Sequence, residues 1–373
     1  MRKKHLLITF VALSLVLCIT LPFAGCASTS ETTAPGQTTA PEMKPVTLVY
    51  NSYLAPPPDY SNASIKWMTD QVESRSQGKV KFEMHYSGEL AKATDVATIC
   101  GQGGFDLGHC SVGYTPALFP LTDGLDKTLT LFPDRPEALG LALLDLSNDW
   151  APYKKEWDDL NLKLIMDNPR GRMVVWAKEP IRTVDGLKGK KTRAMGSFAK
   201  ALDWIGGTPV AMPAGDVYTS LSTGILDAGY NAFQYGLNVG LAEVSSYVID
   251  LGVGATGYTA PIFINLDSFN KLPADMQQIL IDAGRDATVE AYGILLNEQK
   301  AYLKKAEEAG VEIIILSDSE MTKFRDIVQP RLINEWIAEA EKNGLPAQDF
   351  IDRVLAGFEK YKEQEMLYEW LAP

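Results

Sequence analysis

A run of positive charge stands out in an otherwise acidic chain. The 373 residues carry a formal net charge of −12, yet residues 161–200 hold ten Lys or Arg against three Asp or Glu. The densest part of this run is Gly186-Leu187-Lys188-Gly189-Lys190-Lys191-Thr192-Arg193. Lysines beside turn-forming glycines are typical of solvated turns, whereas Arg193 follows the turn in a strand and can reach into a cleft. Its planar guanidinium can hold a carboxylate through two parallel hydrogen bonds. The residues therefore predict an anion site at Arg193, with a structural ion pair as the alternative.

The remaining residues indicate no catalytic or metal-binding group. After residue 26 the histidines are His85 and His109, each within a strand pattern, and no Gly-x-Ser-x-Gly, His-Glu-x-x-His or Cys-x-x-Cys accompanies them. Asp158 and Asp159 are adjacent on a helix and do not face one site. The dinucleotide-like glycine spacing at 252–257 precedes a strand and not a helix, which favours a loop. We therefore expect no enzyme, no metal and no cofactor.

The amino-terminal end has the features of an export signal. Residues 1–25 combine a basic start, an apolar run from Leu6 to Thr20 and small residues before Cys26. Pro22 and the Ala-Gly-Cys ending favour cleavage over a membrane-spanning anchor. The ending resembles a bacterial lipobox, in which Cys26 would become the lipidated first residue. The composition of residues 26–45 is typical of a flexible tether. These features predict an extracytoplasmic protein, in the periplasm or at the cell surface, that is lipid-anchored at Cys26. A secreted protein with a disordered start is the alternative.

The net charge bears on the binding partners of the chain, and the cysteine content bears on whether it contains a disulfide. The acidic balance disfavours nucleic acid as a partner, and contact with the membrane is expected through the lipid anchor alone. Beyond Cys26 the cysteines are Cys100 and Cys110. Export permits a disulfide between them, and two separate buried thiols fit equally well. The sequence leaves this pairing open.

The order of apolar patterns predicts an α/β protein with two sheets. From Val46 to Ser111 the order strand, helix, strand, helix, strand is the βαβ pattern of a mostly parallel sheet. Strands at 162–166 and 173–177 lead into a second α/β series that ends near Asn231. No glycine-rich linker divides the two series, so we expect domains that share crossing strands. Residues 274–308, free of proline, predict a helix of about 50 Å that runs along both domains.

One stretch of the chain carries a family resemblance. It contains Pro180-Ile181, Asp185-Gly186-Leu187-Lys188-Gly189, Lys191-Thr192-Arg193, Gly206-Gly207-Thr208-Pro209-Val210-Ala211-Met212-Pro213, Val217-Tyr218, Leu221, Gly224 and Asp227. By this order and spacing the chain resembles the periplasmic solute-binding subunits of tripartite ATP-independent (TRAP) transporters, the DctP-like family. The resemblance covers residues 46–360.

This resemblance implies an architecture. It implies a two-domain, periplasmic-binding-protein-like (Venus flytrap) α/β fold with crossing strands and a long helix spanning both domains. Domain I would comprise 46–168 plus about 256–297, and domain II would comprise 169–255 plus about 298–330. Residues 331–373 would form carboxyl-terminal helices that pack on the domains.

The resemblance also implies a ligand site. It assigns Arg193 to a ligand carboxylate and Arg172 to a second, assisting arginine, although Arg170 is close and the register there stays open. Asn231 would line the site, and Asn51 and Ser111 fall where family members also contact ligand.

The ligand itself is less defined. Ala214 stands where sialic-acid-binding members carry an aromatic residue, which disfavours sialic acid. Aromatic residues near the site could form a partly aromatic cavity for an acid larger than a simple dicarboxylate, or they could be core residues. These residues are Tyr230, which we include among the ligand-binding candidates, and Phe233, Tyr235, Trp176 and Tyr258.

The implied function is transport. The chain would capture an organic acid and deliver it to the small and large TRAP membrane subunits for uptake driven by an ion gradient. The alternatives are a ligand-sensing or ABC-type binding lipoprotein, or a lipid-anchored enzyme.

Overall fold

The computed structural model describes residues 44–129, 135–168, 171–253 and 260–362. The predicted signal peptide, most of the tether, Cys26, Arg170, Tyr258 and the chain after residue 362 lie outside these described residues. The strands are β1 (Val46–Ser52), β2 (Val80–His85), β3 (Leu107–His109), β4 (Leu162–Met166), β5 (Met173–Ala177), β6 (Lys191–Arg193), β7 (Thr208–Val210), β8 (Ala228–Ala232), β9 (Tyr247–Asp250), β10 (Ile262–Asn265) and β11 (Glu312–Ile315). The helices are α1 (Tyr60–Arg75), α2 (Val96–Gly101), α3 (Pro136–Asp149), α4 (Ala151–Asp158), α5 (Gly196–Trp204), α6 (Val217–Ser222), α7 (Phe233–Asn238), α8 (Leu266–Asn270), α9 (Ala274–Glu308), α10 (Asp318–Lys342) and α11 (Ala347–Lys362).

The strands form two sheets, and each sheet has one reversed strand. The five-stranded sheet has the order β2-β1-β3-β10-β4, and β10 is antiparallel to β3 and β4. The six-stranded sheet has the order β11-β9-β5-β8-β6-β7, and β5 is antiparallel to β8 and β9. The remaining pairs are parallel.

The reversed strands arise because the chain crosses between the sheets. Residues 167–172 connect β4 to β5, and residues 251–261 connect β9 back to β10. A connection of six residues spans at most about 25 Å. Strands β4 and β9 each end at the carboxyl edge of their own sheet. The reversed strands that follow them, β5 and β10, each begin at the carboxyl edge of the other sheet. The carboxyl edges of the two sheets therefore face each other.

Helix α9 bridges the two halves of the fold. Its first part packs on α1, α3 and β4, where a Cβ at Gly284 would lie 2.2 Å from the carbonyl oxygen of Ile165, so glycine permits this close approach. Near its other end, Tyr302 and Leu303 pack with Val174 and Trp176 of the six-stranded sheet. The predicted long helix over both halves is therefore confirmed.

Separate apolar clusters support the two sheets. One lies on the five-stranded sheet and extends over α3, α4 and α11, with Trp157 and Phe263 among its buried residues. The six-stranded sheet is covered on one face by a cluster that includes Phe198 and Phe324, and on the other by a cluster that includes Trp176 and Leu221. These cores hold the two facing edges in place.

Some elements differ from the sequence patterns. Neither β9 nor α7 was predicted, because such short elements show no clear periodicity. The domain boundaries proposed near residues 298 and 331 fall inside α9 and α10, and the division into domains stays a prediction. Cys100 and Cys110 are both buried free thiols, so of the two alternatives the structure has separate thiols and not a disulfide. Burial raises the pKa of both thiols, that of Cys110 to about 12.

Candidate functional site

The end of β6 is set by a turn and an aspartate. Gly189 has a φ of +70° and its N–H donates to the carbonyl of Gly206 at 2.8 Å. The carboxylate of Asp227 accepts from the N–H of Lys191 at 2.8 Å, which holds β6 beside β8. Arg193 consequently pairs with Gly229 at the carboxyl edge of the six-stranded sheet.

Neutral groups hold the guanidinium of Arg193. Its Nη1 donates to the carbonyl oxygen of Tyr230 at 2.7 Å and to Oδ1 of Asn231 at 3.1 Å. Its Nε donates to the carbonyl oxygen of Met212 at 3.2 Å, and its Nη2 lies 3.3 Å from Sδ of Met195. None of these four acceptors is a carboxylate, so they orient the guanidinium without cancelling its charge.

Asn231 offers a second group at the same place. Its side chain is 3% exposed, and its Oδ1 is used by Arg193. Its Nδ2 is buried and has no hydrogen-bond acceptor within the described part of the chain. Leaving a buried donor without a hydrogen bond costs about 1–3 kcal/mol of folding free energy. A donor of this kind at a binding site is therefore typical of a group that hydrogen-bonds to the ligand.

Arg172 lies on the same face of the sheet and is paired with Asp250. Strand register places Val174 opposite Asn231, and side chains two residues apart share a face, so Arg172 shares the face of Asn231. The Nε of Arg172 lies 2.5 Å from Oδ2 of Asp250, and the two side chains are 14% and 9% exposed. Sequence reasoning missed Asp250. A single acidic residue directly after the apolar residues 247–249 is the signal that marks it.

Tyr230 contributes its backbone to the site and its ring to the core. Its side chain points to the opposite face from Asn231, 7% exposed, and stacks on Phe198 with ring centroids 3.7 Å apart. The rings of Trp176 and Phe233 are also buried and stack on each other at 6.0 Å. In this conformation these three rings pack in the apolar clusters that cover the six-stranded sheet.

Asn51 and Ser111 lie on the facing edge of the five-stranded sheet. Asn51 is fully buried, and its amide donates to the carbonyl of Ala91 and accepts from the N–H of Leu90, both at 3.1 Å. This arrangement fixes the loop that follows β2. Ser111 is buried two residues beyond the end of β3, and it precedes a short 3-10 helix, Val112–Tyr114.

Aromatic side chains at this edge were not foreseen. The ring of Tyr53 lies 5.5 Å from that of Tyr114 and 5.4 Å from that of His109. Tyr114 is 51% exposed, and Nδ1 of His109 is 3.0 Å from Oγ of Ser52. His109 therefore packs against Tyr53 and contacts Ser52.

Two further observations concern metal and membrane. Among the described residues, no three His, Cys, Asp or Glu side chains are grouped as a metal site requires. No helix in the described ranges has the length and apolar character needed to cross a membrane.

A protein-family model matches most of the chain. The model of bacterial extracellular solute-binding protein, family 7 (DctP), matches residues 52–338, a range that contains Arg172, Arg193, Asn231 and Asp250. The chain belongs to this family. Family 7 proteins are solute-binding receptors and not enzymes, so the expectation of a non-enzyme is confirmed. The chain is a TRAP-type periplasmic solute-binding protein, a class that binds small organic ligands and works with membrane subunits.

Relatives in the family have diverse named ligands. The ectoine-binding periplasmic protein TeaA of Halomonas elongata is 28% identical over 300 residues, which cover 76% of this chain and 82% of TeaA. The 2,3-diketo-L-gulonate-binding periplasmic protein YiaO of Escherichia coli is 25% identical over 272 residues, 72% of this chain and 80% of YiaO.

Solved family structures share the fold. A TRAP periplasmic solute-binding protein from Desulfovibrio salexigens, solved as an open complex, superposes with a TM-score of 0.75 at 27% identity and covers 87% of this chain and 99% of its own. A TRAP solute-binding protein from Rhodoferax ferrireducens, solved with copurified benzoate, gives a TM-score of 0.70 at 22% identity. The superposition covers 85% of this chain and 99% of the Rhodoferax chain. The predicted two-domain α/β fold with crossing strands is confirmed.

Proposed function

We propose that this family 7 protein captures an organic acid by binding its carboxylate to Arg193. The observation that carries the proposal is the way the guanidinium is held: Tyr230, Asn231 and Met212 fix it through neutral acceptors at the carboxyl edge of the six-stranded sheet. A carboxylate that accepts from Nη2, or that displaces one of these neutral acceptors to bind through two parallel N–H groups, would form charge-assisted hydrogen bonds, which are stronger than those between neutral groups.

The groups around Arg193 fit the same ligand. The buried Nδ2 of Asn231 would donate to a ligand oxygen, and Arg172 would assist from the neighbouring strand. The edge that carries Asn51 and Ser111 would form the opposite wall. Ligand contacts to both edges favour approach of the two sheets, so binding and closure are coupled.

The proposal extends to delivery and location. The closed, loaded protein would dock on the small and large TRAP membrane subunits, which take up the acid using an ion gradient. The two sheets with their helices would act as the two domains given above, joined at residues 167–172, 251–261 and the middle of α9. Lipidation of Cys26 would keep the protein at the membrane outside the cytoplasm.

The test compares acids with their uncharged amides. Mass spectrometry of small molecules released from the purified protein identifies a candidate, and thermal-shift screening compares matched pairs such as benzoate with benzamide and pyruvate with pyruvamide. We expect acids and not amides to stabilise the protein. Stabilisation by an amide equal to that by its acid would contradict the proposal.

A further inference from the structure

The buried ion pair of Arg172 and Asp250 stands where both crossing connections meet the six-stranded sheet. Arg172 is the last residue of the connection 167–172. Asp250 is the last residue of β9, directly before the connection 251–261. Oδ2 of Asp250 pairs with Nε of Arg172 at 2.5 Å, while Oδ1 accepts from the N–H of Gly252 at 2.9 Å. Both oxygens of this carboxylate are therefore engaged by neighbouring groups.

Strand register brings this pair to the ligand site. Ile249 lies opposite Val175, so Asp250 falls opposite Val174, the residue that also faces Asn231 on the other side of β5. The carbonyl of Arg172 accepts from the N–H of Phe233 at 2.9 Å, two residues beyond Asn231. Arg172, Asp250 and Asn231 thus share one face and one edge with Arg193.

The charges at this edge have a consequence for the ligand. Two arginines alone would favour a ligand with two negative charges, because charge interactions are strong where water is excluded. Asp250 cancels one of those charges at contact distance, since its side chain is 9% exposed and that of Arg172 is 14% exposed. A guanidinium has five N–H donors, so Arg172 can still donate hydrogen bonds while its net charge is compensated.

We propose that Asp250 determines the charge of the acid that this site selects. By neutralising Arg172, it makes the cleft prefer an acid with one negative charge over a matched acid with two. This inference rests on the proposed carboxylate site at Arg193 and adds the charge class of the substrate to it.

The experiment measures selectivity between matched acids. Calorimetry gives association constants for succinamate and succinate, and for 4-carbamoylbenzoate and terephthalate, in which an amide replaces one carboxylate. We expect the wild type to bind the monoanion of a pair more tightly. In Asp250→Asn the ratio of monoanion to dianion affinity should fall by about tenfold or more, because one positive charge is uncovered.

A compensating variant separates charge from structure. Arg172→Gln combined with Asp250→Asn removes both charges and should return the ratio to within about threefold of wild type. If Asp250→Asn does not fold, Arg172→Gln replaces it, and the ratio should then rise by about tenfold because an uncompensated carboxylate repels the dianion. Glu243→Gln, which removes an exposed acid of the same half, is the control and should leave the ratio unchanged.

The outcomes are distinguishable. A wild-type preference for the dianions, or the same ratio in wild type and Asp250→Asn, would overturn the role of Asp250 and leave carboxylate binding intact. If wild type bound none of the four acids or the acids of the thermal-shift screen, the carboxylate site itself would be wrong, and the inference about Asp250 would fail with it.

Discussion

Nη1 of Arg193 donates a hydrogen bond to Oδ1 of Asn231 at 3.1 Å, and this contact joins the ends of β6 and β8. Because Oδ1 is occupied, the amide of Asn231 presents its buried Nδ2 as a donor. A cation and a neutral donor thus stand side by side at one sheet edge. That combination complements a carboxylate, which accepts hydrogen bonds at both oxygens.

Replacing Arg193 by lysine tests whether its planar shape matters. Arg193→Lys keeps the charge but loses the paired N–H groups, so affinity for the identified acid should fall about 10- to 100-fold by calorimetry. Lys190→Ala is the control, since Lys190 pairs with Glu179 at 3.1 Å on the surface, and its affinity should stay within about twofold. Equal affinities in the two variants would remove Arg193 from the site.

Introducing a carboxylate at position 231 should block the site without unfolding the protein. Asn231→Asp would place a negative charge within hydrogen-bond distance of Nη1 of Arg193 and compete with the ligand. We expect at least about 100-fold weaker acid binding, with the fold retained. Asn238→Asp adds the same charge at a residue whose amide contacts Tyr302 at 2.9 Å, and it should bind normally. Loss of binding in both variants would point to a general charge effect.

Asp126 should contribute more to stability than its neighbour Asp123. Asp126 is buried, accepts from Oγ of Ser197 at the start of α5 at 2.5 Å, and pairs with Lys127 at 3.0 Å. Asp126→Ala leaves these groups without their partner, so urea denaturation should show a loss of about 1–3 kcal/mol. Asp123→Ala removes a more exposed contact to Lys127, at 3.3 Å, and should cost less. Equal losses would argue against a special role of the contact to α5.

The pH dependence of stability should carry a signature of Asp167. This residue directly follows β4 and begins the first crossing connection, and burial raises the pKa of its carboxyl from 3.8 to about 7. The folded protein therefore keeps this proton between about pH 4 and pH 7 while the unfolded chain releases it, so this group lowers stability as the pH rises through that window. Asp167→Asn stays neutral at every pH.

The expected result is a stability gain that grows with pH. Measured by urea denaturation at pH 4, 6 and 8, the gain of Asp167→Asn over wild type should rise to about pH 7 and then level off, at a few kcal/mol at most. Asp159→Asn, at an exposed carboxylate paired with Lys155, should show little change with pH. A gain that is constant across the three pH values would show that Asp167 ionises normally in the folded protein.

The sequence predicts those strands and helices whose apolar periodicity extends over the whole element. Strands 162–166 and 173–177 and the helix 274–308 were predicted with the bounds that the structure has, because their apolar periodicity extends over the whole element. The four-residue strand β9 was not, and with it Asp250 was missed. The alternation in β8 was visible, but the sequence could not tell whether Tyr230 or Asn231 faces the site.

The sequence by itself determined the Arg193 position, because a glycine turn, a short strand and the Asp227 contact define it within a few tens of residues. Only the tertiary structure decided what surrounds that guanidinium. Arg172 and Asp250 come from strands far apart in the chain, and they meet because β5 runs antiparallel between β8 and β9. A pairing of this kind depends on strand order and register, which are set by the packing of whole sheets and not by neighbouring residues.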